Sequence, residues 1–314
     1  MKKIISIIVV NWNSGLLTIK ALQPFFNSNS PNFDCQIIVV DNSSSDNSVE
    51  QLRQYPVHLI ANKENYGFGS ACNQALQLAT GNYVLLLNPD TESAFEVLAQ
   101  LFNFLEKNTE YAVAGPRQMN DDGVVCKSCG RFPGFKTSLM EVVSLSKIWP
   151  QFFTPVPIMR EWNHQQSRAV DHIMGSYMLI RRSAIDKVGF MDDDYFVYYE
   201  DIDLSRRLYN AGYKSYFMFE SSIYHKGGAS GDAATGLRLY YSLSARNIYW
   251  QKHLSRWQVI ILTALSFTIE PILRAVLIVL KGRFSSIVDI AKAHLWYFNK
   301  VFFKKDYVQK KINS

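Results

Sequence analysis

The chain has 314 residues, 48% of them hydrophobic, with 33 Lys and Arg against 27 Asp and Glu and only four cysteines. That length fits one large domain with an appendage rather than two independent folds, and so few cysteines exclude a disulfide scaffold. The net charge of +6 is uneven: residues 1–245 hold 21 basic against 24 acidic side chains and residues 246–314 hold 12 against 3, so the body is no basic nucleic-acid binder.

Residues 4–10 (IISIIVV) predict an apolar strand ending in Asn11, Trp12 and Asn13; residues 36–40 (QIIVV) predict a second ending in Asp41 and Asn42. Helical stretches from Leu16 to Phe26 and from Asp46 to Gln54 give the order βαβα, hence an α/β fold with a mostly parallel sheet. Ser45 or Asp46 reads as the N-cap of the second helix. A carboxylate at a strand tip, such as Asp41, can accept the imide N3–H of uracil or thymine, a proton that cytosine lacks.

The segment NYGFGSACNQALQLATG contains Gly67 and Gly69 but not the third glycine of a dinucleotide-binding loop, and no first βαβ turn precedes it. An NAD-dependent enzyme is therefore disfavoured. The glycines instead let the chain turn into a helix near Ser70, with Ala71, Ala75, Leu78 and Ala79 packing on the sheet. Val84 to Leu87 then reads as a strand buried on both faces. Asn88, Pro89 and Asp90 follow at its carboxyl end, where open α/β sheets place ligands. Asp90 is suited to hold a divalent cation with a diphosphate, although an Asn-Pro-Asp turn that merely ends the strand accounts for the same residues.

Residues 115–136 form a polar excursion with turns at Asp122-Gly123 and Pro133-Gly134. Cys126 and Cys129 have CxxC spacing, but no second Cys/His pair of matching spacing supports zinc. Residues 137–170, with Trp149, Phe152, Phe153 and Trp162, read as an acceptor loop or an extra layer of core. MGSYMLIRR returns to strand character. In YFVYYEDIDLSRRLYNAGY, Glu200, Asp201 and Asp203 open a helix beside Tyr195, Phe196, Tyr198 and Tyr199. Three acids near apolar surface are costly unless they meet cations, metal or substrate. The plainer alternative is an acidic first turn favoured by the helix dipole, with Asp203 paired to Arg207 at i,i+4.

In the basic tail, Trp257 to Leu280 is apolar except at a few positions that include Glu270 and Arg274, with Pro271 at its centre. The charges shorten the clean apolar run, and Pro271 breaks or kinks a helix, so a membrane-spanning helix is not expected. Two short amphipathic helices at a bilayer interface fit better, anchored by Trp257, Trp296 and Tyr297 and by Lys281, Arg283, Lys300, Lys304 and Lys305. A helical hairpin packed on the catalytic part or in a homodimer is the alternative use of the same residues. Met1-Lys2-Lys3 leads straight into a strand, which predicts a cytoplasmic protein at the inner face of the membrane. Aliphatic runs rather than exposed aromatics and glycine interrupt the basic residues, which argues against nucleic acid.

Taken in order, IISIIVVNWN, IIVVDNSSSDNS, NKENYGFGSACNQAL, YVLLLNPDT, GSYMLIRRSAIDKVGFMDDDYFVYYEDIDLSRRLYNAGY and YHKGGAS resemble the inverting family 2 glycosyltransferases of GT-A fold, most of all their bacterial rhamnosyltransferase branch. The likeness covers roughly the first 230 residues, and six motifs in one order are more specific than any one of them. It implies a GT-A domain over residues 1–245, with a nucleotide-sugar half to about 115 and an acceptor half from 116, and a helical C-terminal region over 246–314.

The resemblance implies roles residue by residue. Asp41 would bind the pyrimidine, with Val10 and Asn11 lining the nucleoside and Asn65 and Gly67 near the nucleotide. Asn88-Pro89-Asp90 stands where many relatives carry DxD, so Asp90 would hold most of a Mg2+ or Mn2+ ion, with His225 as a further metal or diphosphate contact. Arg131, Gly175 and Ser176 would face the sugar or acceptor. Asp201 would be the general base that deprotonates the acceptor hydroxyl, with Glu200 orienting the acceptor or tuning Asp201. Cys72 stands where relatives outside the branch often carry Arg. The implied reaction moves a sugar, L-rhamnose from dTDP-rhamnose or, alternatively, the sugar of a UDP-hexose or UDP-N-acetylhexosamine, onto a lipid-linked saccharide during cell-surface polysaccharide assembly. The intact Asp41, Asp90 and Asp201 argue against an inactive sugar-nucleotide-binding relative.

Overall fold

The computed structural model describes residues 2–27, 30–145, 149, 152, 157–226, 235–280, 282, 284 and 286–304. Phe153, Lys281, Arg283, Lys305 and the GGAS end of YHKGGAS lie outside the described residues. In chain order the elements are β1 Lys3–Asn11, α1 Gly15–Phe26, β2 Phe33–Asp41, α2 Ser48–Leu52, β3 His58–Ala61, α3 Phe68–Leu78, β4 Tyr83–Leu87, β5 Thr91–Glu92, α4 Phe95–Lys107 and β6 Tyr111–Met119. There follow β7 Val125–Cys126, β8 Cys129–Gly130, α5 Phe135–Val142, β9 Arg168–Val170, β10 His172–Ile173, β11 Tyr177–Arg181, α6 Arg182–Val188, α7 Glu200–Asn210, β12 Lys214–His225, α8 Thr235–His253, α9 Arg256–Leu280 and α10 Ser286–Phe303.

The chain folds as two compact units, one of residues 1–131, 162–193 and 200–229, the other of 132–161, 194–199 and 230–314. Helix α8 runs without interruption through residue 245. The first unit is built on one mixed, mostly parallel sheet in the order β3-β2-β1-β4-β11-β6-β12-β5. Strands β3, β2, β1 and β4 are mutually parallel, β11 runs antiparallel between β4 and β6, and β12 returns parallel to β6. Period-two alternation sends Ile5, Ile7 and Val9 of β1 to one face, where Leu22 and Phe25 of α1 and Leu98 and Leu101 of α4 complete a core. Helix α3 packs against β1 and β2; its buried Ala71 and Ala75 allow close approach, whereas Leu78, expected on the sheet, is largely exposed.

The strand runs read from the sequence, β1, β2, β4 and β11, are continuous and apolar, and β4 is buried at all five positions, as a strand covered on both faces must be; residues 115–119, expected in a polar excursion, instead continue β6. Helix α2 is shorter than expected, starting at Ser48, whose N–H is accepted by Asp46 Oδ1 at 3.1 Å. Three residues, Gly67 (φ 86°), Tyr198 (φ 73°) and Tyr199 (φ 68°), take left-handed conformations just before α3 and α7. Glycine does so without cost; for the two tyrosines the strain is about 1–3 kcal/mol each.

The second unit corrects two expectations for the tail. Helix α9 is one continuous helix of 25 residues through Pro271, not two short ones. It is long and apolar enough to cross a membrane, with a mean hydropathy of 1.8 over an 18-residue window that is only 17% buried. The proline's missing bond is offset because the inward stripe Leu262, Ser266 and Glu270 is buried and the charges satisfy one another. Glu270 accepts from Arg246 at 2.5 and 3.1 Å and from Arg274 at 2.6 and 2.9 Å. Tyr297, expected as an interfacial anchor, is instead fully buried with Tyr240, Tyr241, Leu243 and Ala293. The outward apolar side chains of α10 are Val288, Leu295, Phe298, Phe302 and Phe303.

Candidate active site

The parallel register of β1 and β2 sets Asn11 beside Asp41 at adjacent strand tips. Asn11 Nδ2 donates to Asp41 Oδ2 at 2.6 Å, Ser44 Oγ donates to the same oxygen at 2.6 Å, and the Ser44 N–H donates to Oδ1 at 2.9 Å. Asn11 Oδ1 in turn accepts from Ser14 and Thr18 at the start of α1. Asp41 is only 1% exposed, so it braces the 41–44 turn. Oδ1, bonded once here, retains the lone pair an imide N–H needs. Val10 lies one residue before the clamp and is half-buried.

Asn42 organises the neighbouring loop. Its Nδ2 donates to Asn65 Oδ1 at 2.9 Å and to the Gly67 carbonyl at 3.1 Å, while its Oδ1 accepts from Asn62 and from the Tyr66 N–H. Asn65 Oδ1 also accepts the Gly67 N–H. Asn65 and Gly67 are thus brought to the strand tips by a residue whose role the sequence reading missed. The signal was the run of asparagines at 42, 62 and 65, since buried amides must find partners.

Past β4, the Asn88 N–H donates to the Ser176 carbonyl at 2.9 Å. The antiparallel pairing of β5 with β12 sets Thr91 opposite His225, and this places His225 Nε2 3.2 Å from Asp90 Oδ1. His225 Nδ1 is 2.9 Å from Gln118 Oε1, and Gln118 Nε2 donates to Ser176 Oγ at 2.7 Å. With the amide in this orientation Nδ1–H donates to Gln118 Oε1; the protonated ring donates Nε2–H to Asp90, and the neutral ring offers Nε2 to a cation in place of that proton. Burial alone would raise the Asp90 carboxyl, but the hydrogen bond and charge of His225 hold it below its usual range. A carboxylate and an imidazole lone pair converging at this distance fit a divalent cation, with an outer amide holding the ring as such ligands require. Two protein ligands suit an ion that keeps waters and diphosphate oxygens; no group of three or more His, Cys, Asp or Glu that could hold a metal occurs among the described residues.

Asp201 stands in the first turn of α7 with its side chain 19% exposed. Oδ2 accepts the Gly175 N–H at 2.9 Å and Oδ1 the Ile202 N–H at 2.8 Å. A Cβ on Gly175 would lie 3.4 Å from the Asp201 Cβ and 3.5 Å from Oδ2, in ordinary contact with that side chain. Gly175 and Ser176 therefore link two sites: one holds Asp201, the other Asn88 and Gln118. Glu200 is 6% exposed, its Oε2 has no hydrogen-bond partner, and burial followed by the charge of Asp201 pushes its carboxyl up to about 8. Asp203, only 1% exposed in its side chain, pairs with Arg207 at 2.7 Å, and Arg207 also donates to the Val188, Gly189 and Phe190 carbonyls. Asp203 is thus a structural acid, the plainer of its two readings.

Five further positions complete the picture. Gly130 pairs with His172 between β8 and β10, and Arg131 follows directly, half-buried. His172, which the sequence reading did not single out, is buried with Nε2 3.6 Å from Asp201 Oδ2 and Nδ1 3.2 Å from Ser205 Oγ. Cys72 is a buried free thiol, pushed up by burial and by the charge of Glu200; it supplies no cation where Arg is common. Cys126 and Cys129 are free, and burial raises both thiols.

Residues 6–189 match the family model described as Glycosyl transferase family 2. The sequence is 28% identical over 241 residues to N-acetylglucosaminyl-diphospho-decaprenol L-rhamnosyltransferase of Mycobacterium tuberculosis, covering 70% of this chain and 78% of that one. It is 29% identical over 205 residues to the rhamnosyltransferase WbbL of Escherichia coli, covering 61% and 73%. Among solved structures, the mannosyltransferase PcManGT of Pyrobaculum calidifontis in complex with GDP-Man and Mn2+ aligns with a TM-score of 0.57 at 15% identity, covering 97% of this chain and 89% of that one. GalNAc-T7 with UDP, GalNAc and Mn2+ aligns at 0.55 and 16%, covering 79% and 50%. These likenesses show the GT-A fold.

Proposed function

The chain belongs to glycosyl transferase family 2, and on that premise we propose that it is an inverting transferase moving L-rhamnose from dTDP-rhamnose to a lipid-linked saccharide in cell-surface polysaccharide assembly. The rhamnosyltransferases it is similar to support the sugar, and the decaprenol-linked acceptor named for one of them supports the lipid. The observation that carries the mechanism is the Gly175-Ser176 dipeptide, which holds Asp201 through one residue and the Asn88–Asp90 turn through the other. A base and a cation-holding carboxylate are thereby built on one rigid support.

Asp201 accepts the proton of the acceptor hydroxyl as that oxygen attacks the anomeric carbon from the face opposite the leaving nucleotide, which inverts the configuration. Two backbone N–H groups hold the carboxylate in orientation without neutralising it. Asp90 and His225 would hold Mg2+ or Mn2+, which when bound neutralises charge on the departing diphosphate. The 41–44 turn with Asn11 and the Asn65–Gly67 loop form the nucleoside wall, with Val10 beside it. Glu200, buried and held protonated at neutral pH, tunes Asp201 from behind without adding a second negative charge beside it. Arg131 is assigned to the sugar or acceptor side. The exposed apolar faces of α9 and α10, edged by lysines, seat the enzyme on the cytoplasmic face of the membrane where its acceptor lies.

Calorimetric titration with dTDP, UDP and GDP, each with and without Mn2+, tests this reading. Metal-dependent binding of dTDP is the expected result. Preference for UDP would move the donor to a UDP-hexose, and no binding by any of the three would overturn the donor site.

A further inference from the structure

The geometry points to His172 as a positioning residue for Asp201, one that receives a hydrogen bond from the protonated carboxyl and so favours removal of the acceptor's proton. The inference deepens the proposed function and rests on Asp201 being the base. It begins with Ser205. The Ser205 hydroxyl lies 2.8 Å from the Asp201 carbonyl oxygen, and a carbonyl can only accept, so the single hydroxyl hydrogen is committed there. Ser205 Oγ must then accept from His172 Nδ1, 3.2 Å away. The proton of a neutral ring is thereby fixed on Nδ1, and the lone pair of Nε2 faces Asp201 Oδ2 across 3.6 Å.

Two acceptors now face each other at a site where the ring is 3% exposed. An imidazolium would relieve the conflict, but burial, the largest influence on the ring and greater than the opposing charges of Asp201 and Asp171, holds its pKa below the usual histidine value. The remaining relief is a proton on Asp201. As the acceptor oxygen bonds to the anomeric carbon, the bond from that carbon to the diphosphate oxygen breaks and its electron pair leaves with dTDP, while the acceptor's O–H breaks, its proton binds Asp201 Oδ2, and that new O–H donates to the His172 lone pair. No other electron pair on the protein moves. The 3.6 Å separation is too long for a hydrogen bond; it closes by a small turn of the carboxyl, as ligand-free catalytic contacts commonly do. The ring is well held for this task, since β10 pairs with β8 at His172↔Gly130 and contacts α7.

The test measures Mn2+-dependent release of dTDP from dTDP-rhamnose, first onto a short-chain polyprenyl diphospho-N-acetylglucosamine and then onto water, which needs no acceptor site. His172→Phe, which keeps a ring but no lone pair, is expected to lower kcat by about 10–100-fold with KM and dTDP affinity nearly unchanged. His172→Gly is expected to lose the same activity and to regain it with added imidazole. Ser205→Ala releases the tautomer, lets Nε2–H donate to the resting carboxylate, and is expected to lower kcat without changing KM. Normal kcat in His172→Phe overturns the proposal. So does a loss in His172→Gly that imidazole fails to restore while the melting temperature matches the parent. If His172→Gly does not fold, Ser205→Ala decides, and unchanged kcat there overturns it. Asp201→Asn separates the two readings: turnover in that variant removes the base assignment itself, whereas a dead Asp201→Asn beside a normal His172→Phe removes only the role of His172.

Discussion

Asp90 Oδ1 and His225 Nε2 meet at 3.2 Å although they lie far apart in the sequence, because β5 and β12 pair at Thr91 and His225. Gln118 holds the ring by its other nitrogen. If this pair is the cation site, Asp90→Ala abolishes the Mn2+-dependent part of dTDP binding and His225→Ala weakens it. Gln118→Leu, which touches no cation but frees the ring, weakens it by about 10-fold. Calorimetry with and without Mn2+ separates these from metal-independent binding, and full Mn2+ enhancement in Asp90→Ala would place the ion elsewhere.

Asp201 differs from its neighbours in being partly exposed, whereas Glu200 and Asp203 are buried. Only a carboxylate that a hydroxyl can reach serves as base. Asp201→Asn keeps the size of the side chain and an acceptor for the Gly175 N–H, so donor binding should persist while transfer falls by about 10²–10⁴-fold. Nucleotide affinity and turnover measured on the same preparation check both halves of that expectation.

Glu200 gives the stability a pH dependence of known sign. Its carboxyl is pushed from 4.5 up to about 8 by burial and then by the Asp201 charge, so between those values the folded chain holds a proton that the unfolded chain releases. Stability is then full below about 4.5 and falls as pH rises through about 8. Glu200→Gln removes this slope. Thermal melts across that range should show the parent losing ground to the variant toward alkaline pH, and parallel curves would refute the assignment.

Much of the site was readable because its acids follow continuous apolar runs: Asp41 after β2 and Asp90 after β4 are strand ends in any parallel sheet. Gln118 and His172 were not, for a physical reason. Gln118 reaches His225 only because β6 runs parallel to β12 with Gln118 opposite Ile223, a register that local patterning does not encode. His172 sits on a two-residue strand too short to carry a period. In the tail, Pro271 and the charges around it read locally as helix breakers, yet Arg246, distant in sequence, turns Glu270 inward and makes the helix continuous. Tyr297 looked interfacial by type, but its neighbours on α8 bury it.

That buried ion pair carries its own expectation. Burial would raise the Glu270 carboxyl, but Arg246 and then Arg274 hold it down at about 2, so its contribution is present above the ordinary 4.5 and is lost as pH falls through about 2. Glu270→Ala leaves Arg246 buried without its main partner and should destabilise the second unit by about 3–5 kcal/mol. The double change Arg246→Met with Glu270→Leu should cost less, since it removes both fully buried charges and leaves only the partly exposed Glu141 and Arg274 to find new partners. Denaturant melts of the two variants distinguish an ion pair that specifies the packing from one that merely fills it.

Helix α9 turns Trp257, Ile260, Ile272, Val276 and Leu280 to the surface, and α10 does the same with Phe298, Phe302 and Phe303. Exposed apolar side chains in this number are unfavourable in water and call for a covering phase. Lys300 and Lys304 line a cavity of about 510 Å³ in the same unit, where Lys252 is paired with Asp194, so the covering phase should carry negative charge, as an inner leaflet does. The protein should therefore sediment with phosphatidylglycerol vesicles more than with phosphatidylcholine vesicles. Ile272→Glu with Phe303→Glu should release it from both with little change in melting temperature, because both side chains are largely exposed. Lys300→Glu with Lys304→Glu should remove only the preference for the anionic vesicles. Sedimentation that is indifferent to all four changes would assign these faces to a protein partner, and a dimer that dissociates in Ile272→Glu would identify that partner as a second copy.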